Sequence, residues 1–348
     1  MIETVKLTEH YIEMIDQTRL PEKFVKLRIR TVPDMVDAIR SLAIRGAPAI
    51  GVAAAFSLAL FLLKLKARTS EKTAGFWAAA VKALNGSRPT AVNLFTATHR
   101  MDRVFRVNLD KDPQTLRNAV WQEAKSIYQE DLDMSRRIGE AGNKLIKNGD
   151  VILTHCNAGG LATAGLGTAL AVLYAAKQDG KNFTVYADET RPLLQGGRLT
   201  VWELMQNDID VRLISDNMAA FAMKTRGITK VITGADRIAR NGDTANKIGT
   251  FNLAVLAKHH GIPMYIAAPA TTFDPSVEEG GGIPVEERDP SELTFFHGRP
   301  VAPAGAKVWN PAFDVTPANL ITAFITDRGL ITPPFRSGIR TKLGIRPV

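Results

Sequence analysis

The side chains best suited to chemistry follow short apolar runs in the second half of the chain. Cys156 follows one such run, and Asp188, Asp216 and Asp236 close three later ones. In an open α/β sheet the ligand crevice lies beyond the carboxyl ends of the strands, so these positions are the first candidates for a site. Small residues after Cys156 predict a turn into a helix whose free N–H groups could hold an anion and lower the pKa of the thiol.

Each of these features also has a structural interpretation. A lone cysteine is more often a small buried apolar residue, and Asp236 could bond backbone amides after its strand. The pair Asn246-Lys247 could be a helix cap, and Arg45 could be a surface charge at a helix end. Adjacent strand residues point to opposite faces, so His155 and Cys156 are not expected to form a protease-like pair.

The sequence lacks the motifs that typically bind nucleotide cofactors or zinc. Asp188 stands where a dinucleotide-binding fold places its ribose ligand, but the turn AGGLAT (158–163) does not supply Gly-x-Gly-x-x-Gly. No Walker-type Gly-Lys-Ser/Thr follows, and the six histidines and one cysteine lack zinc-type spacing. We expect chemistry on side chains alone, with no cofactor and no metal.

The second half of the chain alternates short β-rich runs with helical patterns. Five runs are the candidate strands: VILTHC (151–156), FTVYAD (183–188), VRLISD (211–216), KVITGAD (230–236) and MYIAA (264–268). Strands separated by helix and loop are typical of βαβ units. The expected fold class is therefore α/β, with a Rossmann-like, mostly parallel C-terminal sheet that carries helices on both faces.

The first half is mainly helical. A short extended start over 25–32 precedes helical patterns through 35–65, 71–84, 90–106 and 114–146. We place the domain junction at 147–150, which gives a mainly helical N-terminal domain over 1–148 and a Rossmann-like catalytic domain over 149–348. The Gly- and Pro-rich region 271–315 lacks clear periodicity, and a loop of that length is usually functional or mobile.

Composition narrows the classes of partner. A formal net charge of +9 permits a nucleic acid, an anionic membrane or a phosphorylated metabolite. Cationic residues form no run interleaved with aromatics outside a mildly basic tail over 336–346, so we expect no nucleic-acid partner. One cysteine excludes an intrachain disulfide, and the N-terminus has no signal-peptide core, which together favour a cytoplasmic protein.

An uncharged stretch at 46–63 reaches the length of a membrane span. Much of it is alanine and glycine, Pro48 suits the first position of a helix, and the chain offers no second span or aromatic belt. A buried core helix is therefore the preferred interpretation, with no membrane partner.

Several ordered segments together carry a family resemblance. They are RGAPAIG (45–51), SRPTAVNL (87–94), THCNAG (154–159), ETRPLLQG (189–196), TGADR (233–237), NKIGT (246–250), PVEERDP (284–290) and FDVTPANLITAFITDRG (313–329). Across nearly the whole chain they resemble the methylthioribose-1-phosphate isomerase family. The same superfamily includes regulatory subunits of translation initiation factor 2B and ribose-1,5-bisphosphate isomerases, so the fold alone does not fix the function.

The resemblance implies conversion of 5-methylthio-ribose 1-phosphate to 5-methylthio-ribulose 1-phosphate in methionine salvage, by a cofactor-free homodimer. It also implies that Asp236 is the proton donor and that Cys156 stabilises the transition state beside the reacting carbons. The implied substrate contacts are Arg45, Gly46, Ala47, Arg88, Gln195, Asn246 and Lys247. Cationic forks and backbone N–H groups suit a sugar phosphate.

The implied reaction makes demands on both catalytic side chains. Because the anomeric oxygen carries the phosphate, ring opening needs an acid, and an apolar, partly closed site would raise the pKa of Asp236 for that task. Hydrogen then moves between C1 and C2 by proton abstraction or by hydride shift, and the sequence leaves both routes open. Either route predicts a severe loss of activity in Cys156→Ser.

Two rival functions follow from the same superfamily. A related isomerase acting on 5-deoxyribose 1-phosphate or ribose 1,5-bisphosphate would keep Cys156 and Asp236 but change the pocket around the sugar 5-position. A non-catalytic regulator would bind protein partners and sugar or nucleotide phosphates without turnover.

Overall fold

Two compact units make up the computed structural model, which describes residues 2–66, 69–88, 92–296 and 298–345. The first unit comprises Met1–Ser135 and Gly159–Gly167, and the second comprises Arg136–Ala158 and Thr168–Val348. The short segment Gly159–Gly167, after Cys156, thus belongs to the first unit. The two units divide the chain at other positions than the expected junction at 147–150. The assignment of domains to 1–148 and 149–348 stays a prediction.

A small antiparallel sheet and a group of helices form the first unit. The strands, in the order β1-β2-β3, are Val5–Leu7, Ile12–Ile15 and Lys26–Ile29. The helices α1 to α5 are Val32–Arg40, Ala47–Lys64, Ser70–Asn85, Val92–Asn108 and Pro113–Asn143, of which the last continues into the second unit. The expected mainly helical front is confirmed, although the sequence pattern does not predict β1 and β2.

The helical pattern through 35–65 is two helices. Helix α1 ends at a Ser41 cap, and Leu42 and Gly46 then adopt positive φ angles of 62° and 89°, which a continuous helix does not allow. Helix α2 follows with Pro48 in its first turn, where a missing N–H costs nothing. Of the predicted helix over 90–106, residues 90 and 91 lie outside the described residues.

The apolar stretch at 46–63 is the core helix of this unit. Helix α2 is long and apolar enough to span a membrane, but 72% of its apolar window is buried inside the protein. Its alanines pack in the same cluster as Trp77 and Phe105, whose rings stack 4.3 Å apart. The preferred interpretation from sequence, a buried core helix, is confirmed.

A seven-stranded sheet organises the second unit. Its main strands are β4 (Asp150–Thr154), β5 (Phe183–Asp188), β6 (Asp210–Ile214), β7 (Lys230–Thr233), β10 (Met264–Ala267), β14 (Ala323–Thr326) and β15 (Gly329–Ile331). Among the described residues the order is β15-β14-β10-β7-β4-β5-β6, and only β15 pairs antiparallel. All five predicted strands are confirmed in a Rossmann-like sheet.

Further short elements surround this sheet. The remaining helices, α6 to α11, are Ala169–Gln178, Val201–Met205, Ala219–Thr225, Thr250–His259, Ser291–Thr294 and Phe335–Leu343. A three-stranded antiparallel sheet contains β8 (Arg237–Ile238), β9 (Thr244–Lys247) and β13 (Phe313–Thr316), and a hairpin contains β11 (Phe295–Phe296) and β12 (Arg299–Pro300). The region 271–315 is thus a loop with short helices and this hairpin. Of the basic tail over 336–346, the last residue lies outside the described residues.

The strand order reverses between two neighbouring central strands. From β4 the chain proceeds outward through β5 and β6, then returns to the other side of β4 and proceeds outward through β7, β10 and β14. Right-handed crossovers in the two directions place helices on opposite faces of the sheet. Ligands of open α/β sheets bind at the carboxyl ends of the strands beside such a reversal, which here are the ends of β4 and β7.

Candidate active site

Cys156 lies at the carboxyl end of β4, in a tight and strained turn. The strand ends at Thr154, and Cys156 has a φ of 60°, which costs a non-glycine residue roughly 1–2 kcal/mol. Hydrogen bonds fix both of its peptide groups: its N–H donates to Thr190 Oγ1 at 2.8 Å, and its carbonyl accepts from Thr200 Oγ1 at 2.6 Å. The side chain is buried, with 9% of the residue exposed.

Close packing brings the turns after several strands together in the second unit. A Cβ on Gly234, just after β7, would lie 2.8 Å from Ala158 Cβ, in the turn after β4. A Cβ on Gly249, after β9, would lie 2.8 Å from the His155 ring. Real Cβ atoms do not approach so closely, so both turns depend on glycine. The loops that carry Cys156, Asp236 and Asn246-Lys247 are therefore neighbours.

Asp236 follows β7, the neighbour of β4 at the strand-order reversal. Its N–H donates to Ala245 O of β9 at 2.9 Å, which ties the turn to the strand that carries Asn246. The residue is exposed. The apolar, partly closed surroundings expected for this carboxyl group are therefore absent from the described residues. The cause is the turn itself, because two residues, Gly234 and Ala235, separate Asp236 from the buried end of β7 at Thr233.

Asn246 and Lys247 belong to β9 and do not cap the next helix, whose N-cap residue is Gly249. Asn246 is buried, and its Nδ2 donates to Thr250 Oγ1 at 2.9 Å. Lys247 Nζ donates to the carbonyl of Ala312 at 3.0 Å and lies 5.0 Å from the centre of the Phe313 ring. The amide and the ammonium thus lie on consecutive strand residues, with their backbone held in the ladder to β13.

Gln195 lies in the turn between β5 and α7. It is 6% exposed, and its Oε1 has no hydrogen-bond partner among the described residues. A buried acceptor in that condition costs about 1–3 kcal/mol, which a bound hydroxyl donor would recover. A Cβ on the next residue, Gly196, would lie 1.7 Å from the Asp188 carbonyl, so the chain can turn there only with glycine.

The other predicted contact residues belong to the first unit. Gly46 is the N-cap of α2, Ala47 is its first residue, and Arg45 precedes them. A Cβ on Gly46 would lie 2.3 Å from the carbonyl oxygen of Ala162, in the segment that this unit takes from beyond Cys156. Arg45 and Arg88 are both partly buried, and residues 89–91 of the motif around Arg88 lie outside the described residues.

His155 is engaged away from the thiol. Its Nδ1 lies 3.0 Å from Asp188 Oδ2 and its Nε2 lies 2.8 Å from the carbonyl oxygen of Ile248. Neither ring nitrogen is left for Cys156, which agrees with the expectation that the two do not form a nucleophile–base pair. The same contact gives Asp188 a structural partner. The residue is 1% exposed, so it cannot be the ribose ligand of a dinucleotide fold.

His155, Asp188 and Asp216 are also the one group of described residues whose donor atoms lie close enough to share a metal ion. Two of its atoms already satisfy each other, because the Nδ1 to Oδ2 distance of 3.0 Å is that of a direct hydrogen bond. Asp216 instead accepts the N–H groups of Thr190 and Arg191, each at 2.7 Å. These contacts describe a hydrogen-bonded support for the turns rather than a set of free ligands.

The sequence does not mark one buried carboxyl group near Cys156, that of Glu203. Glu203 is 1% exposed, accepts from Asn157 Nδ2 at 2.8 Å and from the Tyr174 hydroxyl at 3.1 Å. Burial, followed by the charge of Glu203, holds the pKa of Tyr174 well above its usual value. Because Asn157 follows Cys156, this network supports the turn that carries Cys156. No signal in the sequence marks it, since a glutamate in a short helix is usually solvated.

Comparison with known proteins agrees with this arrangement. Residues 43–333 match the Initiation factor 2 subunit family. The chain is 50% identical, over 98% of its length and 94% of the relative, to the methylthioribose-1-phosphate isomerase of Pelotomaculum thermopropionicum. It is 53% identical to the 5-deoxyribose 1-phosphate isomerase of Moorella thermoacetica, over 94% and 93% of the two chains.

A solved structure supports the fold as well. The crystal structure of 5-methylthioribose 1-phosphate isomerase from Pyrococcus horikoshii matches with a TM-score of 0.95 at 42% identity, over 99% of this chain and 97% of that one. Both the sequence and the fold therefore match over nearly the whole length of these relatives. The chain belongs to the Initiation factor 2 subunit family, and within it to the methylthioribose-1-phosphate isomerases.

Proposed function

We propose that this protein is an aldose–ketose isomerase that converts 5-methylthio-α-D-ribose 1-phosphate to 5-methylthio-D-ribulose 1-phosphate in methionine salvage. The observation that carries the proposal is the identity of about 50%, nearly end to end, with several methylthioribose-1-phosphate isomerases. The neighbouring turns that hold Cys156 and Asp236 at a strand-order reversal support it, because ligands bind at such a position.

Asp236 is the proton donor of the proposed reaction. The phosphate on the anomeric oxygen prevents ordinary ring opening, so the ring oxygen must be protonated as its bond to C1 breaks. Since the residue is exposed in this structure, desolvation of its carboxyl group must come with the bound substrate. The exposure also leaves the group accessible to an entering sugar.

Cys156 is proposed to stabilise the transition state beside C1 and C2. If a proton is abstracted, a thiolate would act as base; if a hydride moves, a neutral thiol in a dry pocket would serve. The burial of Cys156 and its rigid turn suit either role, because both need the sulfur at a fixed distance from the reacting carbons.

Substrate binding is assigned to cations, backbone N–H groups and amides. The proposed contact residues are Arg45, Gly46, Ala47, Arg88, Gln195, Asn246 and Lys247. The start of α2 offers free N–H groups for a phosphate, and the arginines and the lysine offer positive charge. The unpartnered Oε1 of Gln195 is suited to accept a sugar hydroxyl proton.

We further propose a cofactor-free, cytoplasmic homodimer. Exposed apolar side chains on consecutive elements, Leu213 of β6, Met218 after it and Phe221 of α8, support self-association. Light scattering after size exclusion, with Phe221→Glu beside the wild type, tests this. A dimeric wild type supports the proposal, and a monomer at micromolar concentration contradicts it.

The 5-deoxyribose 1-phosphate isomerase relative makes that sugar the second candidate substrate. The test is kcat/KM for three substrates, the 5-methylthio, 5-deoxy and 5-phospho ribose 1-phosphates, measured by ketose formation. We expect the 5-methylthio sugar to be preferred over the 5-deoxy sugar by about 10- to 200-fold, the range for a small apolar group. Equal or reversed values would move the assignment to the 5-deoxy sugar.

A further inference from the structure

A buried histidine–aspartate pair lies directly beside the catalytic turn. His155 and Asp188 are 2% and 1% exposed, so neither side chain is available to a substrate. Because the carbonyl of Ile248 can only accept a hydrogen bond, Nε2 of His155 carries a proton, and Nδ1 faces the carboxyl group of Asp188. The proposed reaction so far has no use for either residue.

Asp188 is linked by hydrogen bonds to groups on both sides of the peptide bond between residues 155 and 156. Its carboxyl group contacts the ring of His155, and its carbonyl accepts the hydroxyl of Thr190 at 3.1 Å. Thr190 Oγ1 in turn accepts the N–H of Cys156 at 2.8 Å. His155, Cys156, Thr190 and Asp188 thus form a closed ring of covalent and hydrogen bonds around the strained residue.

The charges around the pair are acidic. Burial lowers the pKa of His155, but the hydrogen bond and charge of Asp188 and the Ile248 carbonyl outweigh it and raise that pKa overall. Burial raises the pKa of Asp188 to about 6, against the effect of His155. The other charged groups that face the pair are Asp216, Glu189 and Asp314, on three different turns or strands. Together they favour a protonated imidazole near neutral pH.

Two features of this turn lower the stability of the folded protein. Asp188 Oδ1 is buried without a hydrogen-bond partner among the described residues, which destabilises the folded state. The left-handed φ angles of Cys156 and Thr190 add strain in the same turn. Strain and unsatisfied polar groups concentrate where a site needs one fixed geometry.

We propose that His155 and Asp188 are positioning residues, whose hydrogen-bonded pair locks Cys156 in its left-handed conformation. The use of this position in turnover rests on the isomerase function proposed above. The effect on the thiol itself does not, since it can be measured without substrate.

The test compares Asp188→Asn with a matched control at the other end of the same sheet. Asp150→Asn breaks the buried ion pair with Lys230 at the amino end of β4, far along the strand from Cys156. Three quantities are measured for each protein: melting temperature, kcat and KM, and the rate at which iodoacetamide alkylates Cys156 across pH 6–9. Because Cys156 is the single cysteine of the chain, the alkylated mass reports this thiol alone.

We expect Asp150→Asn to lower the melting temperature and to leave kcat and the alkylation profile unchanged. Asp188→Asn is expected to lower kcat roughly 10- to 100-fold with KM nearly unchanged, the effect of misplacing a reacting group by about 1 Å. Its alkylation rate at pH 7 is expected to change about threefold or more, the effect of moving the thiol pKa by half a unit as the turn leaves its fixed geometry.

A second pair of variants covers the case in which Asp188→Asn does not fold. Thr190→Ser keeps the hydroxyl that accepts the Cys156 N–H, and Thr190→Val removes it without changing shape. We expect Thr190→Ser to retain wild-type kcat and alkylation, and Thr190→Val to change both. An unchanged alkylation profile in Asp188→Asn and Thr190→Val overturns the proposal. If wild type turns over no sugar phosphate but the variants still alter alkylation, the isomerase function fails and the positioning role stands.

Discussion

At the scale of residues, the candidate site is a set of side chains held by backbone constraints. Cys156 lies in a left-handed turn whose N–H and carbonyl are both bonded to threonine hydroxyls. Gln195 is buried with an acceptor atom left over. Both features lower stability and both suit a ligand, which is the usual relation between stability and activity at a site.

Replacing Gln195 with leucine is expected to separate stability from binding. The variant removes a buried, unpartnered oxygen, so the free energy of unfolding should rise by up to about 1–3 kcal/mol. The melting temperature should then equal or exceed that of wild type. The lost contact to the sugar should raise KM about tenfold or more. Thermal melts and steady-state kinetics on the same preparations check this. A lower melting temperature with unchanged KM would show that Gln195 is structural.

The sequence marks Cys156 and Asp236 as candidate site residues but does not predict their surroundings. Cys156 and Asp236 stand out because each follows an apolar run, and such runs end at one edge of a parallel sheet. The carboxyl group of Glu203 and the hydroxyl of Thr190 cannot be found in this way, because contacts between them and the Cys156 turn span 34 residues or more. A hydropathy pattern does not predict the exposure of Asp236 either.

At the scale of elements, the long apolar runs are predictable and the short polar strands are not. Strands β4, β5, β6, β7 and β10 all coincide with runs that hydropathy marks. Strand β9 has the sequence TANK and pairs with β8 and β13, and its polar residues carry no strand signal of their own. Its conformation comes from pairing with neighbours, which tertiary structure alone provides.

Gly234, directly after β7, is expected to be required for the spacing of the turns that carry Cys156 and Asp236. In Gly234→Ala the new Cβ would lie 2.8 Å from Ala158 Cβ, so the turns that bear Cys156 and Asp236 must separate. We expect a loss of about 1–3 kcal/mol of stability, as for overpacking, and a marked fall in kcat.

A second glycine offers the control for that variant. Gly75 lies in α3, where an added methyl group would meet open space, so Gly75→Ala should gain up to about 1 kcal/mol and leave kcat unchanged. Denaturant unfolding and kinetics of both variants give the comparison. Wild-type kcat in a folded Gly234→Ala protein would contradict the close packing described here.

At the scale of the whole molecule, buried carboxyl groups tie stability to pH. Asp131 is 8% exposed and accepts the N–H of Ala164 at 2.6 Å, and burial raises its pKa from 3.8 to about 6. The folded state therefore holds this proton more tightly than the unfolded chain. The favourable contribution is complete below pH 4 and is lost as the pH rises through about 6.

Asp131→Asn is expected to remove this pH dependence. The amide oxygen can still accept from Ala164, while the group no longer titrates. The difference in stability between variant and wild type should shift in favour of the variant by about 3 kcal/mol at most between pH 4 and pH 7. Melting temperatures of both proteins at half-unit pH steps measure it. A constant difference across that range would contradict the assigned pKa shift.

The whole fold does not by itself decide between catalysis and regulation. The matching family is named for initiation factor subunits, while near full-length relatives of about 50% identity are named as isomerases. What favours catalysis is local: Cys156 and Asp236 on neighbouring turns at the strand-order reversal. We therefore expect these two residues to be required for turnover of the sugar phosphate.

Phosphorus NMR can follow this turnover and the part that each residue has in it. Purified wild type, Cys156→Ser and Asp236→Asn are each incubated with 5-methylthio-ribose 1-phosphate, without added metal or cofactor. We predict that wild type converts the anomeric phosphate signal into that of a primary phosphate ester, and that both folded variants lose activity by roughly 10²-fold or more. A folded wild type that leaves the signal unchanged, on this substrate and on the 5-deoxy and 5-phospho analogues, would contradict the isomerase account and favour a regulatory protein.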